Sequence, residues 1–331
     1  MEDFSKLNLV GRAPAFLRVL RLIEKFSACD ATVLVHGETG TGKELAARAI
    51  HYLGARRSHP FIPVNCGALP DSLIENEFFG HVRGAYTDAR ESQGGLIANA
   101  EGGTLFLDEI EALSPKGQVV LLRFLQDQVY KPLGGKSQIS GDVRVIAASN
   151  ADVAQLVQTG SFRQDLLYRL TILSLRMPAL RERPGDATTL ARHFMTRFAR
   201  QYARPECELS IESTGVLWDH DWPGNVRELE NLIHRKLLMA EESTLHISAS
   251  DLGLIPTAGT EKPNIGLSIP FELDFRRAKA LLVAAFEREF VHRALSNCRG
   301  NVSAAARLIG KERRAMGKLL RKHNIDRKAF E

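Results

Sequence analysis

Four short apolar runs punctuate the first half of the chain: ATVLVHG (residues 31–37), FIPVNC (61–66), TLFLDE (104–109) and VRVIAASN (143–150). Each has the length and β-branched or aromatic content of a strand buried on both faces. The stretches between them change period. KELAARAIHYL and QVVLLRFLQ repeat their apolar positions at helical spacing, which predicts helices with one buried face. Strands alternating with helices predict an α/β body, a parallel sheet flanked by helices. From about Met177 the strand pattern stops, and segments such as TLARHFMTRFARQYA and VRELENLIHRKLLMA predict a smaller helical subdomain. LIPTAGTEKPNIGLSIP (254–270) reads as a Pro- and Gly-rich linker, and two further helical patterns complete the chain as a small all-α module. The expected divisions are 1–173 (α/β), 174–253 (helical), 254–273 (linker) and 274–331 (all-α).

Composition narrows this little: 331 residues with 44% hydrophobic and 25% charged content have room for about two ordinary globular domains. The N-terminus lacks the layout of a signal peptide and no run of about 18 apolar residues could span a membrane, so a cytoplasmic location is expected. Cys29, Cys66, Cys207 and Cys298 are far apart without a CxxC pair, which argues against a zinc site or a disulfide framework. Charge changes the picture more. The net charge of +5 conceals a tail, residues 271–331, with 15 Lys and Arg against 7 Asp and Glu, on a remainder with 29 against 32. A basic terminal module on a near-neutral body points to a polyanion partner, most simply nucleic acid.

GETGTGK, Gly37, Glu38, Thr39, Gly40, Thr41, Gly42 and Lys43, follows the first strand and opens a helix. Glycines let such a backbone curl until its N–H groups face an anion, the helix N-terminus adds its dipole, and Lys43 can reach the β- and γ-phosphates of a nucleotide. The Ser or Thr that usually follows the lysine to ligate magnesium is replaced by Glu44. A buried strand ending in two acids, Asp108 and Glu109, places them at the carboxyl edge of the sheet, where open α/β folds bind ligands. Asp108 is the candidate for holding Mg²⁺ and Glu109 for polarising the attacking water. Asn65 and Asn150 end two other strands at the same edge and could orient water or sense the γ-phosphate. Arg163 and Arg169, six residues apart on a predicted helix, lie about 120° apart around it, so at most one is expected to pair with Asp165. An arginine left free near a subunit boundary could reach a neighbour's γ-phosphate.

Together GETGTGKE, PVNCGAL, ENEFFGHVRGAYTDA, GGTLFLDEI, SNAD, FRQDLLYRL, RMPALRERPGD and WPGNVREL resemble, in this order, the AAA+ P-loop ATPase domain of bacterial enhancer-binding proteins, the activators of sigma-54 RNA polymerase. The resemblance runs from Leu9 to the C-terminus, and in that family Glu at the position of Glu44 is common. It implies that the helical subdomain is a lid and that ATP with Mg²⁺ binds between subunits of a homo-oligomer, from dimer to hexameric ring. Asn65 would then switch its bond to Glu109 as nucleotide turns over, Arg163 and Arg169 would be trans-acting fingers, and Arg227 a second sensor. Fewer than ten residues precede the ATPase motifs, so the layout is that of receiver-less, phage-shock-type activators, controlled by a separate inhibitory or regulatory protein.

HVRGAYTDA corresponds to the family's sigma-contacting loop, GAFTGA. Gly84, Ala85, Thr87 and Ala89 match, Tyr86 replaces phenylalanine and Asp88 replaces glycine. Tyrosine keeps most of the apolar contact area, whereas the acid brings a charge to the partner surface. The tail resembles a Fis-type helix-turn-helix: Asn301 and Ser303 open the first helix, and a second helix would offer Arg313, Arg314, Lys318, Arg321 and Lys322 to DNA. The reading that follows is an ATP-hydrolysing activator that remodels sigma-54 RNA polymerase. The competing reading, left open by the altered loop, is a DNA-binding regulator that uses ATP only for assembly and acts as a repressor or on another polymerase.

Overall fold

Parallel strands must be covered on both faces, and the alternation of buried side chains shows that they are. The computed structural model describes residues 4, 7–86, 89–205, 207–240, 244–252, 283, 287, 290, 291, 294, 295, 301–308 and 313–322. Strands β1 (Val33–His36), β2 (Phe61–Asn65), β3 (Thr104–Asp108), β4 (Arg144–Ser149) and β5 (Leu173–Arg176) form one parallel sheet in the order β2-β3-β4-β1-β5. Leu34, Leu105, Leu107, Val145 and Ala147 point to one face, against helices α3 (Ile74–Phe79), α4 (Pro115–Asp127) and α5 (Gln164–Leu170). Val33, Val35, Phe106, Ile146 and Ala148 point to the other, against α1 (Pro14–Ser27) and α2 (Lys43–Tyr52). Burying a side chain of this size contributes about 1.5–3 kcal/mol, so the two layers hold the sheet as much as its hydrogen bonds do.

Capping fixes where α4 begins. Ser114 Oγ accepts the Gly117 N–H at 3.2 Å and Pro115 occupies the first turn, where its missing N–H costs nothing. The fifth strand is absent from the sequence reading. In LSLR only Leu175 is fully buried while Ser174 and Arg176 are exposed, so this short edge strand shows no apolar run. Its pairing with β1 carries the sheet to Arg176, beyond the division expected at 173.

The lid comprises α6 (Asp186–Gln201), α7 (Ile211–Asp219) and α8 (Asn225–Met239) around Leu190, Phe194, Phe198, Trp222, Leu229 and Ile233. A buried ion pair joins it to the start of the chain. Arg183 Nε donates to Asp186 Oδ2 at 2.8 Å, and both side chains are at most 2% exposed. The same guanidinium donates to Val10 O at 2.8 Å and lies 3.8 Å from the Phe16 ring centroid, while Asp186 Oδ1 accepts the N–H groups of Arg12 and Ala13 at 2.7 and 3.0 Å. A Cβ on Gly11 would stand 2.5 Å from that guanidinium, so the strap passes only because glycine is there.

Met1–Leu254 and Ile255–Glu331 are two compact units. In the second, α9 (Val302–Leu308) and α10 (Arg313–Lys322) pack Ala305, Ala306 and Met316 against Val291, Ala294 and Leu295. No described helix is long and apolar enough to cross a membrane. Cys29 and Cys66 are free thiols, and Cys298 lies outside the described residues.

Removing one partner of a buried pair strands the other. Asp186→Ala is expected to cost about 3–5 kcal/mol in urea unfolding, against about 0–1 kcal/mol for removing an exposed partner such as Asp142 of the Arg56 pair. Burial also holds His36, His51 and His193 below the ordinary imidazole pKa of 6.5. They are neutral when folded and take up protons on unfolding, so their contribution is complete above about pH 6.5 and is lost as the pH falls below it. The thermal midpoint should therefore drop between about pH 7.5 and 5.5, less steeply in His51→Gln.

Candidate nucleotide site

The loop between β1 and α2 is shaped by backbone that only glycine takes easily. Gly42, the N-cap of α2, has φ +94°, and Gly40 has φ +79° with room for no side chain: a Cβ there would stand 2.3 Å from Gly224 O. Lys43 follows, 8% exposed, its Nζ donating to Gly37 O at 2.8 Å and Glu38 O at 3.1 Å. Burial lowers its pKa, opposed by the nearby carboxylates of Asp108, Glu111 and Glu109. Lys43, Asp108, Glu109, Asn150 and Arg227 line one cavity of about 220 Å³, with Thr39, Gly40, Gly42 and Glu44 at its loop side.

Register puts the acids beside the asparagines. Asn65 stands opposite Asp108 in the β2–β3 ladder, and its Nδ2 donates to Glu109 Oε2 at 3.2 Å while its Oδ1 accepts the Gly67 N–H at 2.8 Å. Asp108 Oδ1 accepts the Glu109 N–H at 3.0 Å, and no described group donates to its Oδ2. Burial raises the Asp108 pKa, with the Glu109 N–H and Lys43 pulling it back. Glu109 itself sits at φ +53°, a left-handed conformation that costs a non-glycine residue about 1–2 kcal/mol. On the other side, Glu111 Oε1 accepts the Asn150 N–H at 3.1 Å. Glu111 carries no motif signal that would single it out. Its neighbour Cys66 is a buried thiol whose pKa burial and these acids raise.

Not every expected residue joins this cavity. The Glu38 carboxylate turns away from it to Arg181 and Asn225 of the lid, and Glu44, though at the cavity's loop side, gives its carboxylate to Arg48, Nη2 to Oε1 at 2.7 Å. Thr41 Oγ1 donates to Glu38 O at 2.8 Å. Arg163 and Arg169 are exposed and do not line it. Arg163 is the N-cap of α5 in extended backbone, so helical spacing does not relate the two arginines; its Nη2 and Nε bond Asp165 at 2.7 and 3.0 Å. Arg169 has no partner among the described residues.

The loop from His81 to Ala89 rises between two residues of antiparallel ribbon on each side, Gly80–His81 and Gln93–Gly94. Gly84 N donates to Ala89 O at 2.8 Å, Ala85 is half-buried, and Tyr86 is 46% exposed with its ring 5.0 Å from that of His81. Thr87 and Asp88 lie outside the described residues. In the tail, Arg313, Arg314 and Lys318 are exposed and occupy an arc of about 140° on α10, opposite Met316, Leu319 and Leu320. Asn301, exposed, caps α9, its Oδ1 accepting the N–H groups of Ser303 and Ala304, both at 3.1 Å. Lys322 pairs with Glu287 at 2.6 Å, and the Arg321 side chain lies outside the described residues.

A phosphate-binding loop after β1, paired acids at the end of β3 and a lid reaching over the loop define a AAA+ P-loop fold, followed here by a helix-turn-helix. Residues 9–176 match the Sigma-54 interaction domain, 181–260 the AAA+ ATPase lid domain and 282–323 the bacterial regulatory protein Fis family. The chain belongs to the sigma-54 interaction domain family of bacterial transcription regulators. It is 36% identical over 329 residues to the nitrogen fixation protein AnfA of Azotobacter vinelandii, covering 99% of this chain and 60% of that one. It is 40% identical to the DNA-binding transcriptional regulator NtrC of a Bradyrhizobium strain, covering 98% and 71%, and 40% identical to the transcriptional regulatory protein ZraR of Salmonella typhimurium, covering 94% and 68%. The chain thus spans about three fifths of AnfA and of its relative VnfA. The crystal structure of NtrX from Brucella abortus in complex with ADP aligns with a TM-score of 0.67 at 30% identity, covering 96% of this chain and 69% of that one.

Glycine at 109 relieves the left-handed strain but adds unfolded-state freedom worth about 0.5–1 kcal/mol. Glu109→Gly is therefore expected to unfold at a thermal midpoint equal to or above the wild type, a stability gain that a strained functional residue allows and an ordinary surface glutamate does not.

Proposed function

We propose that the chain is an ATP-hydrolysing transcription activator that assembles into a ring, binds DNA through α10 and remodels sigma-54 RNA polymerase through the Tyr86 loop. The observation that carries this reading is the Asn65–Glu109 bond beside Lys43 and Asp108: a candidate base held at the mouth of a phosphate-binding loop, one bond from release. Lys43 would exchange the Gly37 and Glu38 carbonyls for phosphate oxygens. Glu109, freed from Asn65, would take a proton from the attacking water, and Asn150 and Arg227 would contact the phosphates from β4 and the lid.

Mg²⁺ fits the donor set only in part of its coordination shell. No cluster of three or more His, Cys, Asp or Glu exists among the described residues, and Asp108 offers one carboxylate oxygen without a protein donor. That suits an ion held by one carboxylate, water and the nucleotide itself, which would neutralise charge on the phosphates. Arg169, and Arg163 on release from Asp165, face outward where a neighbouring subunit's nucleotide could meet them. Arg313, Arg314 and Lys318 supply phosphate contacts, and with the polymerase as client the protein would work in the cytoplasm.

Glu109→Gln should bind ATP within a few-fold of wild type yet lose about 100- to 10,000-fold in turnover. In promoter-opening assays with sigma-54 polymerase, wild type should act only with hydrolysable ATP, and Tyr86→Ala should hydrolyse ATP without opening the promoter. Opening supported equally by a non-hydrolysable analogue would overturn the remodelling mechanism in favour of ATP as an assembly ligand.

A further inference from the structure

Glu38 stands where two sets of bonds meet. Its main-chain oxygen accepts from Lys43 Nζ at 3.1 Å and Thr41 Oγ1 at 2.8 Å, inside the phosphate loop. Its carboxylate points the other way, accepting Arg181 Nη1 at 2.8 Å, Arg181 Nη2, and Asn225 Nδ2 at 3.1 Å. These partners are 143 and 187 positions away in the chain, and both belong to the lid side. Asn225 extends the junction: its Nδ2 also donates to Thr39 O at 3.1 Å, its Oδ1 accepts the Leu180 N–H at 2.8 Å, and the next N–H, of Val226, donates to Gly40 O at 3.0 Å. Asn225 is fully buried at φ +53°, and Arg227, two residues on, lines the nucleotide cavity.

Magnitude decides what the Glu38–Arg181 pair is for. Both side chains are more than two-fifths exposed, so solvent screening leaves the pair a static contribution of about 0–1 kcal/mol. The lid is already held by the buried Arg183–Asp186 pair and its own core. A contact this weak in fixing the lid, yet well formed enough to hold the Glu38 carboxyl down at about 2, is one that can be broken and remade by a ligand's differential binding.

The geometry points to Glu38 as a relay that reports phosphate occupancy of the loop to the lid, with Arg181 and Asn225 as its positioning residues. When an anion draws Lys43 off the Gly37 and Glu38 carbonyls, the Glu38 peptide loses the ammonium that pins it. Its carboxylate then moves Arg181 and Asn225, and Asn225 carries Val226 and Arg227 with it. The relay rests on the reading of Gly37–Lys43 as a nucleotide site.

Hydrogen exchange measured by mass spectrometry on the full chain, with and without ADP, tests it in wild type, Lys43→Ala, Glu38→Gln, Arg181→Gln and Arg181→Lys. In wild type ADP should protect both the first turn of α2 and the first turn of α8. Glu38→Gln and Arg181→Gln should keep the α2 protection, lose most of the α8 protection and bind ADP about 5-fold more weakly, with Arg181→Lys recovering part of each. Full α8 protection in both Gln variants overturns the relay while leaving the nucleotide site intact. Absence of any ADP effect in wild type, matching Lys43→Ala, overturns the nucleotide reading itself and the relay with it.

Discussion

Parallel pairing is the constraint on which the site depends. Because β1 to β4 run the same way, the residues that end them fall along a single edge, and Asn65, Asp108, Gly37 and Asn150 meet there without any loop having to search for its place. The ladder also fixes the phase. Asn65 faces Asp108 in register, and a slip by one residue would turn Phe106 and Leu107 to the wrong layers while taking the Asn65 amide away from Glu109. Covering both faces with helices therefore fixes the geometry of this edge as much as it stabilises the sheet.

What the sequence made legible follows from how locally each feature is encoded. Strands β1 to β4 announce themselves as apolar runs, although β2 is an edge strand with only Val64 fully buried, and the phosphate loop is one contiguous segment of glycines and a lysine. The edge strand at Leu173–Arg176 was hidden because one face is solvent-exposed. Arg181 and Asn225 sit inside recognisable motifs, but nothing in RMPALRERPGD or WPGNVREL says that their partner is Glu38, because that contact exists only once the lid has folded back across the chain. Arg163 is a different case: as the extended N-cap of α5 it lies outside the helical angles that its spacing from Arg169 implies. Asn301 likewise serves the helix it opens, its Oδ1 accepting the first N–H groups of α9.

Charge is divided along the chain as the chemistry is. The body gathers acids around one buried lysine, a balance suited to gripping an anion reversibly, whereas α10 spends its polar arc on cations and keeps Met316 inward. Family membership assigns both ends to one class of regulator, and AnfA and VnfA, of which this chain covers 60% and 61%, are longer chains.

The strap at Val10–Ala13 gives that last point a mechanical meaning. Its carbonyl and N–H groups are bonded to Arg183 and Asp186 rather than to any strand of the sheet. A pull transmitted along the backbone ahead of Val10 would therefore load the lid directly, and the sheet through α1 and through Phe4 and Leu9, which are buried in the core against it. In that sense the strap is a tow-line: the natural point at which anything attached upstream could steer the lid without touching the nucleotide.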